Sequence, residues 1–549
     1  MRVTWLAAVV LAIGCGMSLV HAADRVFVES GRAVAVDPAG DAWKTQGQSL
    51  VGSGVGNVLY ANAALGEGDF SVTVRLSLDE LNGSAASFVF GDNHFGFDGR
   101  TGWMFVEGPV FGGGTQFVRP SKEHIQPGKP FTFRFVRQRQ TLLFEINGQV
   151  VRTATIEANH HARLTGADFG MRPWRATLRV HDFHATGDLR ERSVINLPQI
   201  NLFESGTKGY HTYRIPALIT TTRGTLLAFA EGRVKNSGDS GDIDLLVRRS
   251  TDGGRTWSEQ QVVWDDGPNT CGNPCPVVDS RTGTIYLLMT HNLGVDHEGH
   301  IIEKTSRGTR TVWLSRSTDD GVTWSTPVGI TQTTKDPDWG WYATGPGVGI
   351  QKQHGPHKGR LIIPANHSYS NAGPYARRST YGYGAHVIYS DDGLTWHHSQ
   401  PIHPNVNESQ LVELSDGRLM MNMRSYFGDN RRRTAISDDG GVTWSEVRKE
   451  EELIEPVCQA SIIRLDRENG KPWFLFANPA STRRENMTVR LSKDDAATWP
   501  IARPIYRGSS AYSCLAPLPD GDIGLLYEAD GYRRIVFTRF TTDWLEGKE

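Results

Sequence analysis

The chain carries 549 residues, with 58 basic and 60 acidic side chains and a formal net charge of -2. One hydrophobic core does not extend over that length, so two or three domains are expected. No Lys/Arg run is long enough for a nucleic-acid groove, which removes nucleic acid from the expected partners.

The first element is a processing signal. Arg2 supplies a short positive region, Trp5 to Val20 is mostly apolar, and Val20-His21-Ala22 fits a small-residue cleavage site before Ala23. Residues 1–22 therefore read as a signal peptide and the mature protein as secreted or periplasmic. The apolar run is short and broken by Gly14 and Gly16, a poor membrane span, and nothing later is long and apolar enough to cross a bilayer. Cys15 after Gly14 offers lipoprotein acylation as the lesser alternative, with Ala12 standing where Leu is usual. Four cysteines remain, Cys271, Cys275, Cys458 and Cys514, too few for a disulfide scaffold. Cys271 and Cys275 either pair, as the compartment allows, or stay buried free thiols. Without a neighbouring histidine they are poor zinc ligands.

Residues 23–188 read as all-β. Phe70-Ser-Val-Thr-Val-Arg-Leu-Ser-Leu, Phe131-Thr-Phe-Arg-Phe-Val and Thr141-Leu-Leu-Phe-Glu-Ile alternate, Asn147-Gly148 is a hairpin signal, and Thr177 to Phe183 adds a closing strand. Strands at this spacing suggest a β-sandwich. The pattern loosely resembles lectin-like jelly-roll modules attached to secreted glycosidases; a packing domain without ligand is the competing reading. Residues 189–200, charged and then containing Pro198, suit a linker.

From residue 201 to 549 a turn pattern recurs: Ser-x-Asp-x-Gly-x-Thr-Trp. It stands at Ser250 to Trp257, Ser317 to Trp324 and Ser437 to Trp444. A third copy in chain order is degraded, with Tyr389 in the Ser position followed by Asp391, Gly393, Thr395 and Trp396. The fifth, Ser492 to Trp499, has Ala496 in place of Gly. Asp can accept backbone N–H bonds, Gly permits the bend, Thr braces it, and Trp plugs the adjoining sheet. A strand precedes each copy. One four-stranded sheet per repeat of about 55–60 residues implies a β-propeller of six blades.

The residues that do not recur are the candidates for chemistry. Arg214, Arg424 and Arg484 lie before or within strand-like runs, where a guanidinium needs an anionic partner. If the three converge, a ligand carboxylate held by forked bonds is the natural partner. Asp239 lies in the Gly/Ser loop Asn236-Ser-Gly-Asp-Ser-Gly-Asp, with Asp242 as its rival. His297-Glu-Gly-His300 is one residue short of a metalloprotease motif, and Gly345-Pro-Gly-Val-Gly lacks the setting of a dinucleotide loop. No metal and no organic cofactor is implied.

Together the motifs resemble the sialidase (exo-α-sialidase, neuraminidase) family, the branch shared by secreted bacterial and animal members. They are Tyr213-Arg-Ile-Pro, Glu231-Gly-Arg, Gly272-Asn-Pro-Cys-Pro, Asn407-Glu-Ser-Gln, Asn422-Met-Arg and Ala511-Tyr-Ser, in the family's order. The resemblance implies a triad of Arg214, Arg424 and Arg484 on the sialic acid carboxylate, with Arg484 preferred over adjacent Arg483. Glu528 would hold Arg214, and Arg233 would line the pocket near the ring's 4-position. Asn273 stands where many bacterial members carry Asp, and Gln459 would contact the glycerol side chain. Tyr512 would be the nucleophile, Glu408 its base and Asp239 the general acid/base, its pKa raised by burial and by Asp242 and Asp244. The implied activity is hydrolysis of sialylated glycoproteins, glycolipids or oligosaccharides with retention, by a monomer with no stable membrane span. A trans-sialidase or intramolecular trans-sialidase has the same residues. A non-catalytic adhesion propeller need not keep Tyr512, Glu408 and Asp239 together.

Overall fold

The computed structural model describes residues 24–38, 43–54, 57–80, 85–98, 102–112, 115–156, 164–192, 195, 197–370, 381–467 and 470–548. The signal-peptide reading of residues 1–22 lies outside them. The described residues form two compact units, divided at Arg192.

The first unit is built from one hydrogen-bonded network of strands, anchored on the long strands Leu59–Leu78 and Leu178–Glu191. The alternation read from sequence becomes antiparallel register: Phe131 to Arg137 pair with Leu76 to Phe70. Asn147 and Gly148 both take positive φ and connect Thr141–Ile146 to Gln149–Thr155 as a two-residue hairpin. The core is dominated by phenylalanine. Phe88, Phe90, Phe133, Phe135 and Phe144 are buried, with ring centroids 4.6–5.9 Å apart across the interleaved pairs.

The residues expected as linker are partly strand. Leu189, Arg190 and Glu191 continue the ladder with Leu65, Ala64 and Ala63, and Gln199 and Ile200 already pair with Thr538 and Phe537. Backbone N–H and C=O groups there find ladder partners on both sides, which charge and proline content alone do not reveal.

The second unit is a succession of antiparallel meanders. Thr212–Thr220, Leu226–Arg233 and Ile243–Ser250 are one run; Val406–Glu413, Leu419–Ser425, Arg431–Ser437 and Arg448–Ile454 are another. Strand Ile501–Pro517 serves two of them, pairing with Glu485–Ser492 through its first part and Ile523–Ala529 through its second. Gln199–Glu204 adds to Arg534–Phe540, so the first strand after the division completes the last meander and covers its edge.

The recurrent turns close on themselves. In the first, Ser250 Oγ donates to Asp252 Oδ1 (2.8 Å), which also accepts from Thr256 N (2.9 Å), while Thr256 Oγ1 donates to Oδ2 (2.6 Å). Ser317, Ser437 and Ser492 open the same pattern. The following tryptophans plug the sheets: Trp257 meets Phe537 and Trp324 meets Phe229. The degraded copy needs correcting. Ser390 and Asp392, not Tyr389 and Asp391, form it, with Ser390 Oγ donating to Asp392 (3.0 Å) and Thr395 N to Asp392 (2.8 Å). The turn has lost one residue between Asp and Gly, and the displaced Asp391 instead receives Arg360 as a fork (2.7 and 2.8 Å). Cys271, Cys275, Cys458 and Cys514 are all buried free thiols.

Candidate functional site

Four of the strands in the second unit share a local irregularity. Their ladders shift register between Arg214 and Ala217, Gly272 and Cys275, Val406 and Ser409, and Ser510 and Ser513. Ile215 and Asn273, inside two of these shifts, take left-handed φ values of 59° and 52°. A bulge bends the strand and re-aims a side chain that regular alternation would send into the sheet packing. Here the bulges turn Arg214, Asn273, Glu408 and Tyr512 toward one cavity of about 170 Å³, which Arg233, Asp239, Arg424 and Arg484 also line.

Arg214 is buried, and Glu528 beneath it offsets the cost. Arg214 Nε donates to Glu528 Oε1 (2.7 Å) and Nη2 to Oε2 (3.4 Å). The same carboxylate accepts Ile215 N (2.9 Å) and Tyr512 N (3.1 Å), so one acid fixes two bulges at once. Arg424 Nη1 donates to Glu408 Oε2 (2.6 Å) and to the Tyr512 hydroxyl (3.2 Å). Arg484 differs. Its Nη1 donates to the Tyr532 hydroxyl (2.7 Å) and its Nη2 to Val457 O (3.3 Å). It has no carboxylate partner among the described residues, and Arg483 does not line the cavity. A half-buried guanidinium at a cavity wall without an acid is a site that an anionic ligand satisfies.

Between the arginines, the Tyr512 hydroxyl donates to Glu408 Oε1. Burial, then the Glu408 charge, pushes the phenol far above its ordinary range against the pull of Arg424, Arg484 and Arg214. The resting side chain is therefore a neutral phenol with a carboxylate already on its proton.

Arg233 organises the opposite wall. Its Nε and Nη2 donate to Glu231 Oε2 (3.0 and 2.7 Å), and its Nη1 donates to Ser237 O (2.6 Å) and lies 2.8 Å from Asp239 Oδ1. Glu231 Oε1 accepts Asn273 N (2.8 Å), an approach that requires Gly272, where a Cβ would sit 2.4 Å from that oxygen. Asp239 keeps 59% of its side chain accessible at the cavity. Its acidity differs from expectation. Desolvation by the cavity wall raises its pKa, but Arg233 and Arg214 outweigh that and the net shift is downward. Asp242 and Asp244, expected to raise it, do not line the cavity; Asp244 instead accepts the Tyr210 hydroxyl (2.6 Å).

Two further expectations change. Asn273 lines the cavity, but its Oδ1 is taken by Thr290 Oγ1 (3.2 Å) and Arg310 Nη2 (2.5 Å). Gln459 does not line the cavity. Its Nε2 donates to Pro346 O (3.1 Å) and Ser513 O (3.0 Å) and its Oε1 accepts Ser513 N (2.9 Å). Both ends of that amide hold backbone behind Tyr512, so the expected glycerol contact is replaced by a bracing role.

Sequence reading passed over Arg310, Trp341, Tyr426 and Glu298, all of which line the cavity. Arg310 is buried over the Trp341 ring (4.0 Å), and burial brings its pKa down to about 10. Arg310 directly precedes the apolar strand Thr311–Ser317, much as Arg214 lies inside the apolar strand Thr212–Thr220, and that was the available signal. Glu298 lay inside the segment discarded as an incomplete metal motif.

Against known proteins, residues 224–525 match the BNR repeat-like domain family. The chain is 38% identical to a sialidase of Micromonospora viridifaciens over 361 residues, 63% of this chain and 54% of that one. It thus spans little more than half the length of that relative. It is 31% identical to Sialidase-2 of Mus musculus, covering 61% of this chain and 93% of the mouse protein. Among solved structures, the Hadza microbial sialidase Hz136 superposes with a TM-score of 0.57 at 26% identity, over 89% of this chain and 97% of that one.

Proposed function

The chain belongs to the sialidase family, and from that premise we propose that it is an exo-α-sialidase, releasing terminal α-linked sialic acids from glycoproteins, glycolipids or oligosaccharides with retention of configuration. The observation that carries this is the Tyr512 hydroxyl donating to Glu408 beside Arg424, with Arg214 and Arg484 lining the same cavity.

The residue types suit the substrate. A sialic acid bears its own carboxylate on the anomeric carbon, so a carboxylate nucleophile would meet like charge there; a neutral phenol does not. A phenol with an ordinary pKa near 10 is a weak nucleophile and needs an adjacent base. In this reading the sugar carboxylate occupies Arg214, Arg424 and Arg484 through forked bonds. Glu408 takes the phenolic proton as Tyr512 Oη bonds to the anomeric carbon. Asp239 protonates the departing aglycone oxygen, then takes a proton from the water that attacks the tyrosyl adduct. Two inversions give net retention. Arg233 lines the wall by the ring's 4-position, Asn273 lines the same cavity, and Glu528 holds Arg214. No metal or organic cofactor takes part.

The same reading extends to the whole chain. Residues 1–22 act as a signal peptide and send a monomer out of the cytoplasm. Residues 23–188 form a lectin-like β-sandwich, and residues 201–549 form a six-bladed propeller, a reading supported by the succession of antiparallel meanders. A fluorogenic sialoside tests the function: the purified protein releases the fluorophore, and absence of release at any pH from 4 to 8 contradicts the reading.

A further inference from the structure

Four carboxyl side chains line the cavity: Glu231, Asp239, Glu298 and Glu408. Two are committed. Glu231 is spent on Arg233 and on Asn273 N, and Glu408 on Tyr512 and Arg424. Asp239 lies 2.8 Å from Arg233 and 4.0 Å from Arg214, an arrangement that favours its charged form. A general acid has to come to the reaction with a proton, and Asp239 in the ligand-free site is arranged to lack one.

Glu298 is built differently. It opens the short helix Glu298–Ile302, and the residue before it, His297, shares a 2.6 Å hydrogen bond with Ser240 Oγ on the Asp239 loop. The two loops that carry Asp239 and Glu298 are thereby tied together. Glu298 Oε1 accepts the Tyr383 hydroxyl (2.7 Å), and the Tyr383 ring stacks on Tyr426 (5.0 Å, 21°), which faces Arg424 at 5.1 Å. Burial, then the Tyr383 bond pulling the other way, then the Asp239 charge leave the Glu298 carboxyl above its usual range, with Arg310 and Arg424 as the opposing charges.

We propose that Glu298 holds the proton of the resting site and passes it to Asp239 when the substrate carboxylate occupies Arg214. The proposal rests on the sialidase reading above. The step balances. Substrate binding gives Arg214 a new anionic partner, so Asp239 loses part of what kept it ionised. The O–H bond of Glu298 breaks and one forms on Asp239. Glu298 is left as a carboxylate in the field of Arg310 and Arg424, and Asp239 becomes the neutral acid that gives this same proton to the aglycone oxygen. When water attacks the tyrosyl adduct its proton returns through Asp239 to Glu298. Two carboxyls with environments that push them apart divide the acid and base duties.

The experiment is the pH profile of kcat/KM for a sialyl-oligosaccharide and for a nitrophenyl sialoside, in wild type, Glu298→Gln and Tyr383→Phe. In Glu298→Gln, Asp239 has to draw its proton from solvent, so oligosaccharide cleavage falls about 10- to 100-fold above neutral pH and the alkaline limb moves to lower pH. The loss on the nitrophenyl sialoside is smaller, because that leaving group needs little protonation. Tyr383→Phe removes a bond that favours the charged carboxylate, so its alkaline limb moves to higher pH. Limbs that stay at the wild-type pH in both variants overturn the proposal, as does an equal loss on both substrates without a limb shift, the mark of a merely structural role. Wild type inert on both substrates contradicts the sialidase reading itself.

Discussion

The second unit contains two kinds of special local structure, and they teach different things. The recurrent Ser-x-Asp-x-Gly-x-Thr-Trp turns, or Asp boxes, are self-contained: Ser317, Asp319, Gly321 and Thr323 satisfy one another within seven residues. The bulged strand starts are the reverse. Arg214 depends on Glu528, 314 residues away, and Tyr512 on Glu408, 104 residues away. A locally satisfied motif repeats because each copy is complete, so it serves as scaffold. A motif completed only by distant partners occurs once, and those partners meet only where the meanders converge.

Substitutions that exploit this contrast are ordered here by expected effect. Tyr512→Phe keeps the ring and removes the oxygen; turnover falls about a thousandfold or more while the melting temperature holds, and near-normal turnover removes the nucleophile assignment. Arg424→Lys keeps the charge without the fork. Steady-state kinetics then show kcat/KM lower by about 10- to 100-fold, with weaker substrate binding. Asp319→Ala does the opposite, costing about 1–2 kcal/mol of stability in thermal denaturation and leaving kcat/KM within about twofold. A large kinetic effect there would break the division between scaffold and site. Ala496→Gly is the smallest. Ala496 holds φ of 60°, where the left-handed backbone costs an L-residue about 1–2 kcal/mol, partly cancelled by the entropy glycine loses on folding. The net gain is below about 1 kcal/mol, read as a small rise in melting temperature.

The same contrast explains what was legible in the sequence. Four of the five boxes keep their spacing, and the fifth copy's Ala496 did not hide it. The shortened copy was misread because Tyr389, Asp391 and Gly393 preserve the spacing by letter, whereas the hydrogen bonds choose Ser390 and Asp392. Arg214, Arg424, Arg484 and Asp239 are legible as residues that do not recur, Tyr512 and Glu408 only through family motifs, and no local pattern places the six in one cavity. Gln459 illustrates the limit: a polar residue beside a site can face backbone, and only its partners Pro346 and Ser513 reveal this. Asp239 illustrates another. Its neighbours in sequence are acids, but its neighbours in space are Arg233 and Arg214, which reverses the sign of its pKa shift. Glu298 was invisible because the one pattern it belongs to points to the wrong chemistry.

The central claim is that Tyr512, with Glu408 on its proton, attacks the anomeric carbon. Time-resolved NMR of sialoside cleavage tests it most directly, because the first-released anomer records the number of inversions. The account predicts that the α-anomer appears first and then mutarotates. First release of the β-anomer, the outcome of a single displacement by water, would contradict it.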